Sequence, residues 1–327
     1  MEEMYEVILK EGYGLKLYSS SRTRTCLVCS TDKGVFDLKK NIYDESVIVL
    51  EGEIKKSLSK NGFGEVVPFL DTTEEKMFYE YNDCRYTLEQ HKNFAPASDD
   101  GTWDYVKGAR TMARMHNAST MDEFVCDRIN YGRLESVYEK RILQFKRIRK
   151  RIKKNGTYDK ADMLIKEYYD YYLNRAETAV KMLKESDYMA LSDAARSKKT
   201  FCHNSFKGDN IKIDSKTGMM YVDNFGKAAY DVCVTDLAYY IRQIIKKEGT
   251  EKGHIRDVID AYKDETEFDE MQKKLNCAMI VFPWKFMNLC NEYHNKRKAF
   301  TFDASVQRLE RCVKSVEKEE EIINMLM

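Results

Sequence analysis

A chain of 327 residues, 43% of them hydrophobic, is long enough for a sizeable core and, at roughly 150 residues per domain, for two structural units. Its 55 basic and 54 acidic residues nearly cancel, so the overall charge favours neither a nucleic-acid partner nor a membrane surface. No stretch approaches the roughly 18 consecutive apolar residues that cross a bilayer, and nine cysteines without repeated spacing are typical of a reducing compartment. We therefore expect a cytoplasmic protein that binds neither nucleic acid nor membrane; the sequence leaves its oligomeric state open.

The first 88 residues predict a small β-rich lobe with one helix. Three runs of strand-forming residues are separated by two turn-forming segments. The runs are 15–18, 25–29 and 35–39, and the turns are 19–21 and 32–34. A helix follows, with Asp44 as its N-cap, one apolar stripe and an end at Asn61-Gly62. Two further strands, 76–81 and 84–88, are predicted around a tight turn.

Residues 89–327 predict a second, mainly helical lobe. Apolar residues recur with helical spacing over 102–117, 134–154, 159–185, 236–247 and 254–263. One hairpin interrupts these helices, because the strand-like runs 211–213 and 219–223 flank a segment rich in turn-forming residues. A hairpin brings its two outer ends together, so Asn210 and Asn224 are expected to face one small volume.

The segment before this hairpin resembles a phosphotransferase loop. Phe201–Asn210 is similar to the catalytic loop of the aminoglycoside phosphotransferase and choline kinase superfamily. That loop has a histidine, a catalytic aspartate two residues later and a metal-binding asparagine five residues after that. His203 and Asn210 match the spacing, but Ser205 stands at the aspartate position. Where the superfamily has an aspartate-phenylalanine metal motif, this chain has Asn224-Phe225-Gly226. Both aspartates of the superfamily pattern are thus replaced by uncharged residues, Ser205 and Asn224.

Further segments resemble the spore-coat CotS-type family within that superfamily. They are Val35–Lys39, Asn61–Phe63, Arg85–Leu88, Ala113–His116 and Phe282–Phe286, in that order. The resemblance implies an α+β, two-lobed protein-kinase-like fold, with a β-rich lobe at 1–88 and a helical lobe at 89–327. It also implies ATP and magnesium as cofactors, and spore-coat proteins or glycans as partners.

The two neutral positions argue against ordinary phosphoryl transfer. A serine hydroxyl carries no charge at neutral pH, so Ser205 cannot act as the general base that positions an attacking alcohol. Magnesium is usually held by one or two carboxylates, and the amides of Asn210 and Asn224 make a poor substitute. Asp209, in the adjoining loop, is the acid expected to reach this volume. Asp223 is discounted, because strand alternation turns it to the face opposite Asn224.

Three further positions carry predicted roles. By resemblance Lys39 is the lysine that contacts nucleotide phosphates. Glu51, at the edge of the helix stripe, is the best candidate for its ion-pair partner, and His203 is expected to orient the loop through hydrogen bonds. The turn at 19–24 lacks the glycine that would let the backbone approach phosphates closely.

The densest run of basic residues is Lys146–Lys154, with isoleucines at 148 and 152. That spacing places one apolar stripe on a basic helix, which predicts a solvated amphipathic helix in preference to a site for a polyanion or an acidic partner.

Two functions remain open from the sequence. The first is a pseudokinase that acts by binding or assembly in the spore coat, because both acidic catalytic positions are lost. The second is an active ATP-dependent phosphotransferase for a small alcohol, a sugar or a coat glycan, which would use Asp209.

Overall fold

A computed structural model of the protein describes residues 2–96, 104–156, 158–246, 251–295 and 302–326. The chain divides into two compact units, and each unit is built from two stretches of sequence. The first unit is Met1–Ile129 with Lys198–Tyr230, and the second is Asn130–Ser197 with Asp231–Met327. The first is α+β and the second is helical, which confirms the predicted fold class. The lobe boundary at residue 88 stays a prediction.

A five-stranded antiparallel sheet, in the order β1-β2-β3-β5-β4, forms the centre of the first unit. Its strands are Leu17–Arg22 (β1), Leu27–Thr31 (β2), Gly34–Asn41 (β3), Tyr79–Tyr81 (β4) and Cys84–Gln90 (β5). The serines at 19–21, predicted as a turn, belong to β1 instead. Because β1 is an edge strand with mostly exposed side chains, it tolerates polar residues.

The two faces of this sheet differ in character. One face is apolar and packs against an N-terminal helix, Glu2–Val7 (α1), and a π-helical segment, Ile8–Gly12, neither of which the sequence predicted. The other face carries Lys39 beside Thr87, its partner on β5. Helix Glu45–Lys60 (α2) begins immediately after Asp44, as predicted, and supplies side chains that reach this second face.

Two small sheets complete the first unit, together with helix Tyr105–Ala118 (α3). Their strands are Phe94–Pro96 (β6), Phe201–Cys202 (β7), Ile211–Asp214 (β8), Met220–Val222 (β9) and Ala229–Tyr230 (β10). The sheets have the orders β6-β8-β9 and β10-β7. The predicted hairpin is therefore confirmed as β8 and β9. Residues 102 and 103 of the predicted helix 102–117 lie outside the described residues.

The second unit consists of helices. They are Leu134–Asn155 (α4), Lys160–Glu185 (α5), Tyr188–Lys198 (α6), Val234–Ile245 (α7), Lys252–Lys263 (α8), Glu270–Val281 (α9), Trp284–Asn295 (α10), Phe302–Lys314 (α11) and Val316–Leu326 (α12). Residue 247, the predicted end of the helix at 236–247, lies outside the described part of the chain. Ile148 and Ile152 of the basic run are buried, as an amphipathic α4 requires. Within the described ranges, no helix is both long and apolar enough to cross a bilayer.

Candidate active site

The outer ends of the β8–β9 hairpin bring three uncharged side chains together. Asn224 Nδ2 donates a hydrogen bond to Asn210 Oδ1 at 2.8 Å. Asn210 Nδ2 in turn donates to the hydroxyl of Ser205 at 3.0 Å and to its carbonyl oxygen at 2.7 Å. The two asparagines thus lie as close as the hairpin predicts. We call Ser205, Asn210 and Asn224 the amide chain.

His203 connects the loop to the hairpin from a fully buried position. Its Nδ1 accepts a hydrogen bond from the backbone N–H of Ser205 at 3.2 Å. The proton is therefore assigned to Nε2, which donates to the carbonyl oxygen of Asp223 at 3.0 Å. The ring of Phe225 packs against the imidazole, with 4.7 Å between their centroids. These contacts hold the loop against the residue that precedes Asn224.

The amide chain does not fit a magnesium ion. Magnesium prefers carboxylate oxygens, whereas these three side chains carry no charge. The amide oxygen of Asn210 already accepts from Asn224, and the amide oxygen of Asn224 accepts from the Tyr43 hydroxyl at 3.4 Å. No cluster of three or more His, Cys, Asp or Glu side chains suited to a metal occurs in the described part of the chain. No step of phosphoryl transfer is therefore assigned to magnesium here.

Asp209 points away from this volume. Its side chain is 70% exposed, and its carboxylate pairs with Lys207 at 2.6 Å. The hydrogen bond and charge of Lys207 hold the pKa of Asp209 below its ordinary value. The carboxylate therefore remains ionised at neutral pH but lies at the protein surface. Its expected approach to Asn210 and Asn224 does not occur.

Lys39 belongs to a separate group of charged side chains. Its Nζ lies 2.6 Å from Glu89 Oε2 and 3.2 Å from Asp223 Oδ2. Glu51 instead pairs with Lys55, at 3.1 Å and one turn further along α2. The predicted ion pair between Lys39 and Glu51 is therefore absent, because Lys55 lies beside Glu51 and the β5 carboxylate of Glu89 takes the place beside Lys39.

Lys55 is the centre of this group and is fully buried. Besides Glu51, its Nζ contacts Glu89 Oε1 at 2.6 Å and Asp223 Oδ1 at 2.9 Å. A third lysine, Lys212 of β8, lies 2.5 Å from Asp223 Oδ2. We call the six side chains the lysine–carboxylate cluster: Lys39, Lys55, Lys212, Glu51, Glu89 and Asp223.

The charges within this cluster stabilise one another. Burial alone would raise the pKa values of Glu89 and Asp223, but the ammonium groups of Lys39 and Lys55 outweigh it and hold both below the ordinary value. Conversely, burial alone would lower the pKa values of Lys39 and Lys55, and the carboxylates of Asp223 and Glu89 raise them instead. These four groups are therefore all ionised at neutral pH, and the three lysines of the cluster balance its three carboxylates.

The position of Asp223 corrects the prediction that it faces away from the site. Strand β9 ends at Val222, and Asn224 has a left-handed backbone with φ +59°. Alternation of side chains holds only within a regular strand, so it does not extend across these two residues. As a result the carboxylate of Asp223 reaches Lys39 while the amide of Asn224 reaches Asn210.

The hydroxyl of Thr23 closes the turn between β1 and β2. Thr23 Oγ1 accepts from the backbone N–H of Cys26 at 3.0 Å and donates to the Cys26 carbonyl oxygen at 2.9 Å. These internal hydrogen bonds stabilise the turn. It contains no glycine, which a close approach of the backbone to phosphates would need.

Tyr43 covers the Asn224-Phe225-Gly226 element. A Cβ atom added at Gly226 would lie 2.8 Å from Tyr43 Cζ and 3.0 Å from its hydroxyl oxygen. Any larger residue here would have to displace the tyrosine ring, which also places its hydroxyl beside the amide of Asn224.

Gly226→Ala should consequently lower the free energy of unfolding by about 1–2 kcal/mol, because the added methyl group overpacks against the Tyr43 ring. Urea unfolding would measure the change. The matched control is Gly64→Ala, where an added Cβ would meet nothing within 4 Å. The cost at Gly226 should nearly vanish in a Tyr43→Ala background; an unchanged cost there would show that another contact is responsible.

Several small-molecule kinases of known structure share this fold. An aminoglycoside phosphotransferase from Alicyclobacillus acidocaldarius matches with a TM-score of 0.80 and 14% identity, over 96% of this chain and 92% of that one. Spectinomycin phosphotransferase APH(9)-Ia, in complex with ADP and spectinomycin, matches with a TM-score of 0.59 and 12% identity, over 98% of each chain. Choline kinase from Cryptosporidium parvum matches with a TM-score of 0.52 and 13% identity, over 99% and 97%. The likeness establishes the predicted protein-kinase-like fold.

A family match is more specific than the likeness in fold. Residues 6–326 match the family described as spore coat putative kinase YutH, and the chain belongs to that family. The predicted membership of a spore-coat, kinase-like family is thus confirmed. A search of curated proteins found no match.

Proposed function

We propose that this protein is a pseudokinase of the spore coat, a kinase-like protein that acts by binding or assembly. The observation that carries the proposal is the amide chain. Where the aminoglycoside phosphotransferase and choline kinase superfamily has two aspartates, this chain has Ser205 and Asn224, and both are linked by hydrogen bonds to Asn210. An amide and a hydroxyl satisfied in this way supply neither a general base nor a charged metal ligand.

The lysine–carboxylate cluster supports the same proposal. The ammonium group of Lys39 already contacts Glu89 and Asp223. A nucleotide phosphate at this lysine would compete with both carboxylates for its three N–H donors and would bring further negative charge beside Asp223, 3.2 Å from Lys39. Like charges at this distance repel, so the cluster favours Lys39 without a nucleotide.

Coat association is proposed from the family, and the partners would be coat proteins or coat glycans. A protein that acts by binding needs only a stable frame and an exposed surface. ATP and magnesium are therefore not required for the proposed role.

An active ATP-dependent phosphotransferase is the second candidate. The observation that favours it is the carboxylate of Asp223, which lies 3.2 Å from Lys39 and one residue before Asn224. The related spectinomycin phosphotransferase holds ADP. In this candidate the substrate would be a small alcohol, sugar or coat glycan, and Asp223 would replace Asp209 as the acid to test.

Thermal unfolding with ATP, in the presence of either magnesium or a chelator, separates the two candidates. A nucleotide at one hundred times its dissociation constant stabilises a protein by about 2.7 kcal/mol. We expect no magnesium-dependent rise in the unfolding temperature of the wild-type chain. A clear rise that Asn224→Ala abolishes would contradict the pseudokinase proposal.

The double variant Ser205→Asp with Asn224→Asp is the positive control, because it restores a carboxylate at both family positions. If the frame is otherwise intact, this variant should gain magnesium-dependent stabilisation by ATP that the wild type lacks. Turnover of ATP by the wild type over a panel of sugars and amino alcohols, lost in Asp223→Ala, would establish the second candidate instead.

A further inference from the structure

The helical unit contains a pocket of about 40 Å³ that includes no residue of the amide chain or the lysine–carboxylate cluster. Side chains of α5, α7, α9, α10, α11 and α12, and of residues that adjoin these helices, line it. Five of them are charged: Arg175, Arg242, Lys246, Lys285 and Glu319. We call this the cation pocket. One water molecule needs a cavity of only roughly 10–15 Å³, so the cation pocket has room for a group of several atoms.

The cation pocket has an excess of positive charge. Its four cationic side chains face a single carboxylate, Glu319, which already accepts from Arg175 at 3.2 Å and from the Ser315 hydroxyl at 3.1 Å. Arg242 donates to the carbonyl oxygen of Met279 at 3.3 Å. Among the residues that the structure describes, no carboxylate lies within ion-pair distance of Arg242, Lys246 or Lys285.

The surroundings of Lys246 disfavour its charged form. Burial, and then the charges of Arg242 and Lys285, lower its pKa below the ordinary value. Burial lowers the pKa of Arg242 as well. Four neighbouring cations that face one carboxylate are unfavourable in a protein unless another negative group binds among them.

The start of α10 adds to the positive potential. Its first residues, Trp284, Lys285 and Phe286, form part of the pocket wall. The N-terminus of a helix carries the positive end of its dipole and is a favourable place for an anion. Helices α7 and α9 also end here, but the partial negative charges of their last carbonyl groups, about one charge together, are smaller than the excess of positive charge in the pocket.

We propose that the cation pocket binds a phosphate-type oxyanion, either the free ion or the phosphoryl group of a small ester. An excess of three positive charges matches a dianion better than a carboxylate, and guanidinium groups suit phosphate oxygens. The fit of charge and size does not depend on the amide chain, so the proposal is independent of the proposed function.

Thermal unfolding of the full-length protein in rising inorganic phosphate, with chloride keeping the ionic strength constant, tests this proposal. The unfolding temperature of the wild type should rise with phosphate. Lys285→Gln and Lys246→Gln should each weaken the apparent affinity by about tenfold, since each removes one charged hydrogen-bond donor. Without phosphate, Lys246→Gln should unfold at a higher temperature than the wild type, because it relieves repulsion.

Two matched variants make the result specific. Lys273→Gln removes a charge from α9 at a side chain that is 54% exposed, and it should leave the phosphate response unchanged. Lys40→Gln removes a charge from a larger groove on the first unit, lined also by Arg22 and Arg24, and should likewise change nothing. The proposal is overturned if wild type shows no response beyond chloride, or if the response survives in Lys285→Gln and Lys246→Gln.

The same assay with glycerol 3-phosphate distinguishes the two sources of the oxyanion. Tighter binding than inorganic phosphate, with the same loss in Lys285→Gln, would identify a phosphate ester as the ligand. Weaker binding than inorganic phosphate would identify the free ion.

Discussion

Lys55→Met should lower the free energy of unfolding by about 3–5 kcal/mol, the cost of breaking a buried ion pair from one side. Lys55 is fully buried and contacts the carboxylates of Glu51, Glu89 and Asp223. Methionine fills a similar volume but leaves these carboxylates with one cation fewer, so the loss arises from charge and not from a cavity. Urea unfolding followed by circular dichroism would measure it.

Lys56→Met is the matched control, because the next residue on α2 is also a lysine in an ion pair. Lys56 contacts Asp71 at 2.8 Å, but both side chains are about two-fifths exposed, at 39% and 42%. An exposed pair contributes about 0–1 kcal/mol, so this variant should be nearly neutral. The double variant Lys55→Met with Glu89→Gln should cost less than the sum of its parts. Equal effects at Lys55 and Lys56 would refute the role given to the cluster.

Asp231→Asn should stabilise the helical unit in a pH-dependent way. Burial, and to a smaller extent the charge of Asp236, raises the pKa of Asp231 to about 7. The folded protein therefore retains a proton that the unfolded chain releases near pH 4, so stability falls as pH rises to about 7 and the full penalty remains above it. Asparagine carries no charge at either pH. The difference in free energy of unfolding between Asp231→Asn and the wild type should therefore be about 2–3 kcal/mol larger, in favour of the variant, at pH 8 than at pH 5.

Urea unfolding at the two pH values would measure this difference. Asp257→Asn, at an exposed position on α8, should change the free energy of unfolding by no more than about 0.5 kcal/mol at either pH. A gain at Asp231 that is the same at pH 5 and pH 8 would mean that ionisation of this side chain is not the cause.

The hairpin and α2 were predictable because their signals are local. Turn-forming residues between β8 and β9, and the Asn61-Gly62 end of α2, specify their conformations within a few positions. The proximity of Asn210 and Asn224 follows directly from the hairpin. The prediction of a turn at the serines 19–21 was wrong, because an edge strand exposed to solvent, such as β1, does not need apolar residues.

The lysine–carboxylate cluster was harder to predict because its members come from four separate elements and from the segment that follows β9. Strand register places Glu89 near Lys39 only once β3 and β5 are known to pair. Lys55 lies one turn beyond Glu51 and two turns beyond Ile48, a spacing that marks a buried face, but a lysine is rarely read as buried. Asp223 required the left-handed backbone of Asn224, which no periodicity reveals.

The balance of charge inside the lysine–carboxylate cluster also limits how this protein can diverge. Lys55 and Glu89 are almost completely buried, so a substitution that removes either one leaves an uncompensated charge in the interior. During evolution, members of the cluster can be replaced with little loss of stability only if a lysine and a carboxylate change together. The six positions are therefore expected to change together and not one at a time.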